Sequence, residues 1–135
     1  MASTFLLEIV TPERMFFNEQ VEMLIFKTPE GEIGILRNHA PVVAAVISSS
    51  IRFKQNDEWK NAVVASGFAE VLGDKVVLLV DTAEWPDEVD LNRALEAKKR
   101  AVERLQRSLN TQEQAQSQAA LSRALARLSV KVSKI

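Results

Sequence analysis

Cysteine and tyrosine are absent from this sequence of 135 residues, and histidine occurs once. Without cysteine there are no disulfides, thiolate zinc sites or cysteine nucleophiles, and one histidine is too few for a histidine-rich metal site. A Ser-His-Asp triad would have to use His39, but no Gly-x-Ser-x-Gly turn is present to carry the serine. The inventory predicts neither a metal site nor a catalytic site.

Long apolar runs are missing as well. The longest, residues 41–47 and 76–80, are far shorter than the roughly 20 residues that cross a bilayer as a helix. The region after Met1 lacks the basic stretch and the apolar run of a signal peptide. Hydrophobic residues make up 47% of the chain and charged residues 26%, which is typical of a globular protein with one core. We expect a chain that is soluble or bound to a membrane only peripherally.

Residues 84–94 divide the sequence into two parts of different character. Residues 1–89 contain 7 Lys and Arg against 14 Asp and Glu, a formal charge of −7. Residues 90–135 contain 10 against 4, a charge of +6. The hydrophobic period changes at the same place, from that of short strands to that of helices. We therefore predict a strand domain over residues 1–86 and a helical domain over residues 87–135.

The first domain has the pattern of short strands separated by turns. Phe5, Leu7 and Ile9 recur at every second position, as in a half-buried strand. Further runs of strand length are residues 21–26, 51–54, 59–65, 68–72 and 75–80, and turn-forming residues occupy 28–31, 55–58 and 73–74. Many short strands with no helical period between them favour an antiparallel sandwich or barrel.

The second domain begins with an amphipathic helix. Asp90 is placed to cap its start, and Asn110 is placed to follow its end. We expect one face of this helix to be buried, and its apolar stripe consists of Leu91, Leu95, Val102, Leu105 and Leu109, flanked by Ala94 and Ala101.

A second helix follows, and together the two predict a helical hairpin. Thr111 and Gln114 have the spacing of a capping box at its start. The residues predicted to face inward are Leu121, Ala124, Leu125 and Leu128.

This second helix also carries a basic edge. No acidic residue occurs from residue 114 to residue 135, and Arg123, Arg127 and Lys131 recur at every fourth position. One interpretation is an ordinary solvated face. The other is a site for an anion or an acidic partner, since two guanidinium groups one turn apart can hold a phosphate or carboxylates with bidentate geometry. No glycine-rich phosphate loop is present, so a nucleotide would have to be bound by side chains.

Several short motifs, in order along the chain, carry a resemblance to a known family. They are Ile9-Val10-Thr11-Pro12, Gly31-Glu32-Ile33-Gly34-Ile35-Leu36, His39-Ala40-Pro41, Ser66-Gly67-Phe68-Ala69-Glu70-Val71 and Arg127-Leu128-Ser129-Val130. With them the sequence resembles the epsilon subunit of bacterial F-type ATP synthase almost from end to end. The resemblance implies an α+β, mainly β fold: an N-terminal antiparallel β-sandwich of about ten strands and a C-terminal two-helix hairpin. Periodicity predicts the same division.

The resemblance also implies a place in a larger complex. The epsilon subunit is a non-catalytic part of the rotor, or central stalk, of the proton-translocating synthase. It lies peripherally at the cytoplasmic face of the bacterial cell membrane and meets the membrane only through the complex. Its sandwich would bind the gamma subunit and the c-subunit ring, and the residues expected near the ring are Glu30, Glu32 and His39.

The helices of the family act as a brake. Folded beside the sandwich, the hairpin permits ATP hydrolysis, and extended along gamma into the catalytic head, it inhibits hydrolysis. The resemblance implies that the basic edge, Arg123, Arg127 and Lys131, then faces acidic segments of the alpha/beta head.

Some family members bind ATP on the folded hairpin through a motif of Ile or Leu, Asp, two variable residues, Arg and Ala. This sequence has Val89, Asp90, Arg93 and Ala94 there, so Val replaces the larger aliphatic residue. The resemblance implies a regulatory ATP rather than a required cofactor, with the arginines on the phosphates and the other residues on adenine and ribose. The full predicted set is Glu84, Val89, Asp90, Arg93, Ala94, Arg100, Arg123 and Arg127. The alternative is that Asp90 is only a helix cap and Arg93 only a surface residue.

A nucleic-acid-binding module, a β-barrel with a basic helical tail, is the competing interpretation. The positive charge of the helical domain favours it, because phosphate contacts dominate such binding. The acidic strand domain, the lack of tyrosine and the scattered Phe and Trp residues do not suit a stacking platform. We therefore expect protein partners and no nucleic acid.

Overall fold

The computed structural model describes residues 3–107 and 110–132 of the chain. Ten strands within these ranges precede a short 3₁₀ turn, Pro86–Glu88, and two helices. The strands are β1 (Phe5–Val10), β2 (Met15–Val21), β3 (Met23–Thr28), β4 (Gly31–Ile35), β5 (Val42–Val46), β6 (Ser49–Gln55), β7 (Glu58–Val64), β8 (Gly67–Val71), β9 (Lys75–Val80) and β10 (Ala83–Glu84). The helices are α1 (Leu91–Arg107) and α2 (Thr111–Val132).

The strands form two five-stranded sheets packed face to face. Sheet A has the order β2-β1-β9-β8-β5, and sheet B has the order β10-β7-β6-β3-β4. The predicted fold, a mainly β sandwich followed by a helical hairpin, is confirmed. One detail of the prediction is wrong, because β1 and β9 pair in parallel within an otherwise antiparallel arrangement. Alternation along a strand reveals which face is buried but says nothing about the direction of its neighbour.

The core lies between the two sheets and consists of alternate residues of each strand. Phe5, Leu7 and Ile9 are buried on β1, as the alternation predicts, and Ile51 and Phe53 are buried on β6. Their outward neighbours are partly or fully exposed, so each sheet has one inner and one outer face.

The predicted strand over residues 21–26 is in fact parts of two strands. Val21 ends β2 and pairs with Phe5 in sheet A, whereas Met23 begins β3 and pairs with Lys54 in sheet B. Glu22 is where the chain passes from one sheet to the other, and its backbone N–H already donates to the Lys54 carbonyl. A continuous β-forming sequence does not show such a crossing, because local propensity is the same on both sides.

Two of the three predicted turns, at residues 28–31 and 55–58, are confirmed by backbone conformation. Gly31 has a φ of 132° at the end of the β3–β4 turn. Asn56 and Asp57 have φ values of 52° and 62° and join β6 to β7 as a two-residue hairpin turn. Positive φ at both central residues matches the right-handed twist of the flanking strands, and Asn and Asp tolerate that conformation.

The two helices pack against each other through small side chains rather than through leucines. Ala94 and Ala101 are the buried residues of α1, whereas Leu91 and Leu95 are 45% and 48% exposed. Val102 and Leu105 are only half-buried, and Leu109 lies outside the described residues. The predicted leucine stripe on α1 is therefore wrong in its facing, because small side chains let the two helix axes approach more closely.

The inward face of α2 was predicted only in part. Ala124 is buried as expected, and Leu121 and Leu128 are half-buried, but Leu125 is 44% exposed. The described α2 residues that are buried besides Ala124 are Ser117, Ala126 and Val130. The prediction for this helix therefore assigned the buried face to its leucines, whereas the buried side chains are mostly smaller ones.

The cap of α1 agrees with the prediction and the cap of α2 does not. Asp90 accepts a hydrogen bond from the Arg93 backbone N–H at 3.1 Å. Asn110 caps the start of α2, where its side-chain oxygen accepts from the Glu113 N–H at 2.8 Å. Its predicted place after the end of α1 depends on residues 108 and 109, which lie outside the described residues. The predicted capping box at Thr111 is thus wrong by one residue, since Thr111 is already the first helical position.

The hairpin lies on the sandwich through α2, which contacts β6 and β7 of sheet B. Val63 of β7 points away from the sandwich core and joins Val89, Ala126 and Val130 in a separate small apolar cluster. The cluster contains two residues of α2 and is much smaller than the sandwich core.

Replacement of Gly67 by Ala tests the close approach of β8 and β9. A Cβ atom at residue 67 would overlap the Leu79 carbonyl oxygen and lie 2.7 Å from the Val80 Cα, both of them backbone atoms that cannot move alone. We expect Gly67→Ala to lower the free energy of unfolding by at least about 2 kcal/mol. Gly73→Ala is the matched control, because its Cβ would meet nothing closer than 4.0 Å, and we expect a change within about 1 kcal/mol. Urea unfolding followed by circular dichroism measures both, and equal stabilities would contradict the predicted clash.

Candidate functional site at the junction of sandwich and hairpin

The segment that leads from the sandwich to α1 is clamped to β2 and the loop before it. Arg14 donates to the Glu88 carboxylate at 2.8 Å and to the Ala83 carbonyl at 3.0 Å. The same Glu88 oxygen accepts from the Trp85 backbone N–H at 2.8 Å. The hydrogen bond from Arg14, with that from Trp85, lowers the pKa of the Glu88 carboxyl. Glu88 therefore stays ionised to a lower pH than an unpaired glutamate does.

An aromatic stack reinforces this clamp. The rings of Phe16 and Trp85 are stacked with their centroids 4.4 Å apart. The Arg14 guanidinium lies 5.0 Å from the centroid of the Phe16 ring. Trp85 thus packs against the sandwich core, and the chain is held to the sandwich as far as Glu88.

An ion pair joins the sandwich to α2. The Nε of Arg127 donates to a Glu84 carboxylate oxygen at 2.7 Å, and the side chains are 31% and 25% exposed. Glu84 is the last residue of β10, and Arg127 lies on α2 beside the apolar cluster of Val63, Val89, Ala126 and Val130. The pair and the cluster are direct links between hairpin and sandwich.

A cavity of about 280 Å³ opens between this ion pair and the start of α1, and we call it the junction cavity. It brings together six of the eight residues predicted to bind ATP. Those six are Glu84, Asp90, Arg93, Ala94, Arg100 and Arg127, and the cavity is also lined by Glu88 and Ala97. Sequence reasoning missed Glu88 and Ala97, although Ala97 lies one turn after Arg93 and its position on that face follows from helical spacing.

Two of the predicted residues do not line the junction cavity. Val89 is 3% exposed and belongs to the apolar cluster beneath α2. Arg123 is exposed and lines a different groove, described below. The side chain of Val89 therefore packs beside the start of α1, and Arg123 lines the hairpin groove rather than the junction cavity.

The junction cavity is lined by equal numbers of arginines and carboxylates, but not all of these groups are paired with one another. Three arginines and three carboxylates line it. Glu84 is paired with Arg127, and Glu88 is paired with Arg14 outside the cavity lining. Within the described residues, neither Arg93 nor Arg100 forms an ion pair with a carboxylate. These two guanidinium groups are available to an anionic ligand.

A larger groove of about 760 Å³ lies between the sandwich and the middle of α2, and we call it the hairpin groove. Its sandwich wall comes from the ends of β5, β8 and β9 and the loops beside them, and its helical wall comes from α2. The lining residues are Ala45, Val46, Ile47, Ser48, Ser66, Gly67, Phe68 and Asp81 on the sandwich, and Ala119, Ser122 and Arg123 on α2.

Sheet A carries an apolar row across its outer face. Each strand contributes one residue, and the strand register places them side by side: Ala45, Phe68, Leu79, Val10 and Met15, which we call the outer-face row. Phe68 is 62% exposed and Leu79 is 54% exposed. Contiguous exposed apolar surface of this kind marks interaction sites. The sequence did not reveal the row, because it depends on register between five strands.

The remaining predicted contact residues are spread over the sandwich and α2. Glu30 precedes β4 and His39 follows it, so the five-residue strand separates them by roughly 16 Å along its length. Glu32, on β4, pairs with Arg52 at 3.4 Å. Lys131 is half-buried in the last turn of α2. Glu30 and His39 thus lie at opposite ends of one strand.

Neither described helix is long and apolar enough to cross a membrane. The side chains of residues 3–107 and 110–131 contain no cluster of three or more His, Asp or Glu suited to a metal ion.

Comparison with known proteins gives a consistent result. The family profile "ATP synthase, Delta/Epsilon chain, beta-sandwich domain" matches residues 4–86, and the profile "ATP synthase, Delta/Epsilon chain, long alpha-helix domain" matches residues 87–131. The ATP synthase epsilon chain of Ruminiclostridium cellulolyticum is 51% identical over 127 residues, covering 94% of this chain and 95% of that one. The epsilon chain of Caldicellulosiruptor bescii is 45% identical, covering 92% and 90%.

Solved structures agree at the level of the fold. A chain of the Euglena gracilis mitochondrial ATP synthase, in a structure of its OSCP, F1 and c-ring, superposes with a TM-score of 0.82 at 21% identity, covering 93% of this chain and 80% of that chain. A chain of the Tetrahymena thermophila central stalk and c-ring has a TM-score of 0.73 at 13% identity, covering 96% and 98%. With both family domains matched in order and relatives of 45–51% identity over more than nine tenths of its length, the chain belongs to the epsilon-chain family of F-type ATP synthase.

Proposed function

We propose that this chain is a non-catalytic rotor subunit of a proton-translocating F-type ATP synthase and that its hairpin is a releasable brake on ATP hydrolysis. The observation that carries the brake is the slight attachment of α2, which includes one partly exposed ion pair and a four-residue apolar cluster. A partly exposed ion pair contributes at most about 1 kcal/mol, so the hairpin can leave the sandwich without disturbing its core. The family assignment gives no support to the nucleic-acid-binding alternative.

The two domains have different tasks in this proposal. Residues 1–86 bind the gamma subunit and the c-subunit ring, and residues 87–135 form the movable arm. The outer-face row is the proposed surface for gamma, because it is the wide apolar strip that the sandwich leaves exposed. The c-ring contact remains a prediction for Glu30, Glu32 and His39, and the synthase would hold the chain peripherally at the cytoplasmic face of the cell membrane.

Arg127 links the folded and extended states of the arm. In the folded hairpin its charge is neutralised by Glu84. When the arm extends, Arg127 loses this partner and joins Arg123 and Lys131 as a basic edge that can meet acidic segments of the alpha/beta head. Opening therefore exposes the charge that the inhibitory contact requires.

ATP is proposed as a regulatory ligand of the junction cavity. Arg93 and Arg100, which lack carboxylate partners among the described residues, would contact the phosphates. Arg127 could add a third contact while keeping its bond to Glu84. Because the cavity takes residues from β10, α1 and α2, bound ATP would favour the folded hairpin by its differential affinity for the two states.

Docking on gamma is tested by a matched pair of surface substitutions. Leu79→Ser removes an apolar side chain from the centre of the outer-face row, and Trp59→Ser removes one of similar exposure from sheet B. We expect Leu79→Ser to raise the Kd for the purified gamma subunit at least about tenfold, as a central apolar contact of some 1.4 kcal/mol or more would require. Surface plasmon resonance measures both variants. Equal affinities for the two would show that gamma does not use the row.

The brake is tested in the assembled complex by ending the chain after Glu88. The clamp of Arg14 and Trp85 is retained, and the sandwich core contains only residues that precede this point. We expect ATP hydrolysis to increase severalfold while proton pumping stays coupled, since the inhibitory arm is gone and the contacts to gamma remain. Hydrolysis at the level of the complete chain would contradict an inhibitory hairpin.

Regulatory ATP is tested by calorimetric titration of the isolated chain. We expect measurable heat, and Arg100→Ala should weaken binding at least about tenfold by removing a charge-assisted contact to phosphate. Lys99→Ala, an exposed neighbouring cation, is the control and should bind as the unaltered chain does. Arg123→Ala decides whether the Arg123 side chain takes part in ATP binding. Because Arg123 lines the hairpin groove, we expect this substitution to have little effect on ATP affinity. The absence of heat at millimolar ATP would reject the ATP site and leave the brake unaffected.

A further inference from the structure

Glu88 lies in a wall that two cavities share. It lines the junction cavity, and it also lines a second cavity of about 480 Å³, which we call the flank cavity. Glu84 and Arg127 line both as well, whereas Arg14 lines only the flank cavity. The 2.8 Å ion pair between Arg14 and Glu88 therefore holds the carboxylate from the flank cavity.

This ion pair decides the net charge that a ligand of the junction cavity meets. The three arginines and three carboxylates of the lining are together neutral. Glu84 is paired with Arg127, and Arg14 adds a fourth cation through its bond to Glu88. The lining together with Arg14 has four cations against three carboxylates, so the cavity carries an excess of one positive charge.

The cations without a carboxylate partner lie on one face of α1. Arg93 and Arg100 are seven residues apart, which is about two helical turns. Ala94 and Ala97 lie between them in the lining, and their small side chains leave room for a ligand. Each guanidinium group can hold phosphate oxygens with paired hydrogen bonds. The ligand class that fits is a polyphosphate, either a nucleoside triphosphate or an inorganic triphosphate.

The loss of Arg14 would change the junction cavity without touching its other walls. Glu88 would keep its bond to the Trp85 backbone N–H, at 2.8 Å, but its charge would no longer be neutralised. An unpaired carboxylate in the lining repels phosphate and competes with it for the guanidinium groups of Arg93 and Arg100.

We propose that Arg14 is a positioning residue of the junction cavity: it holds and neutralises Glu88 from the flank cavity and thereby permits a polyphosphate to bind. Arg14 itself does not touch the ligand. The inference rests on the proposed function, because ATP is a member of this ligand class. It adds that a residue of the sandwich, just before β2, sets the affinity of a site whose guanidinium groups lie on the hairpin.

A matched pair of substitutions in the complete chain tests the inference, with calorimetric titration of ATP and of inorganic tripolyphosphate. We expect Arg14→Met to raise the Kd for both ligands about tenfold, because the carboxylate of Glu88 is left unneutralised. Arg52→Met is the control and should change either Kd less than about twofold. Arg52 forms an ion pair with Glu32 at similar side-chain exposure and lines neither cavity.

A second substitution separates the charge effect from a structural role of Arg14. In Arg14→Met, the further change Glu88→Gln should restore both Kd values to within about threefold of the unaltered chain. Glutamine keeps an acceptor for the Trp85 N–H and carries no charge. A purely structural clamp would stay broken in this double variant, so affinity would not return. Circular dichroism at equal concentration checks that all variants fold.

The pH dependence of the single variant gives a third measurement. In the unaltered chain the hydrogen bond from Arg14 lowers the pKa of Glu88, and in Arg14→Met we expect this pKa to rise toward its ordinary value. Between pH 7 and about 4.3 Glu88 would then lose its charge first in the variant, and the ratio of the two Kd values should fall toward one. The other charged groups near Glu88, present in both chains, are Glu13, Asp81, Glu84, Asp90, Arg93, Arg100 and Arg127.

The outcomes distinguish this inference from the regulatory role of ATP. If ATP binds the unaltered chain and Arg14→Met equally well, regulatory ATP stands and the inference is overturned. Weakening that Glu88→Gln does not rescue would also overturn it, because Arg14 would then only support the fold. If tripolyphosphate binds with the expected dependence on Arg14 and ATP does not bind, the anion site is supported and regulatory ATP is rejected. If neither ligand binds the unaltered chain, both proposals fail.

Discussion

The arrangement of this molecule depends on how weakly α2 is attached to sheet B. The Glu84–Arg127 ion pair is partly exposed, and the cluster under the helix has only four apolar members. Full burial of a valine side chain contributes about 1.5 to 3 kcal/mol, so the three valines of the cluster together contribute at most roughly 5 to 9 kcal/mol, and the much larger sandwich core contains none of the four cluster residues. The junction cavity and the hairpin groove both take walls from the hairpin, and both exist only while that weak contact holds.

The segment before the hairpin has the opposite property. Arg14, Phe16, Trp85 and Glu88 form a compact group of stacked and hydrogen-bonded side chains that ties the chain to the sandwich. Only one residue, Val89, separates this group from the cap at Asp90. The segment tied to the sandwich and the start of the hairpin therefore meet within a single turn of the chain.

The sequence was most informative where structure is local. The alternation of Phe5, Leu7 and Ile9, the turn at residues 55–58 and the cap at Asp90 depend on residues close in the chain, and each was predictable. The parallel pairing of β1 with β9, the break at Glu22 and the outer-face row depend on partners distant in sequence. The helical face was misjudged because size was taken as the guide to burial, whereas the helices approach each other through small residues. Motif positions located most of the junction cavity, but only the fold shows that Arg123 lines the hairpin groove instead.

The parallel pair of β1 and β9 has a consequence for how the chain is made. β1 is synthesised before every other strand of sheet A, and its second neighbour in that sheet, β9, ends at Val80. Sheet A cannot be completed until β9 pairs with β1, which requires that nearly the whole sandwich has left the ribosome. Contacts of such long sequence separation form slowly. The helices follow within the next few dozen residues. The sandwich and the hairpin are therefore completed at nearly the same stage of synthesis, and the apolar outer face of sheet A forms only when β9 is in place.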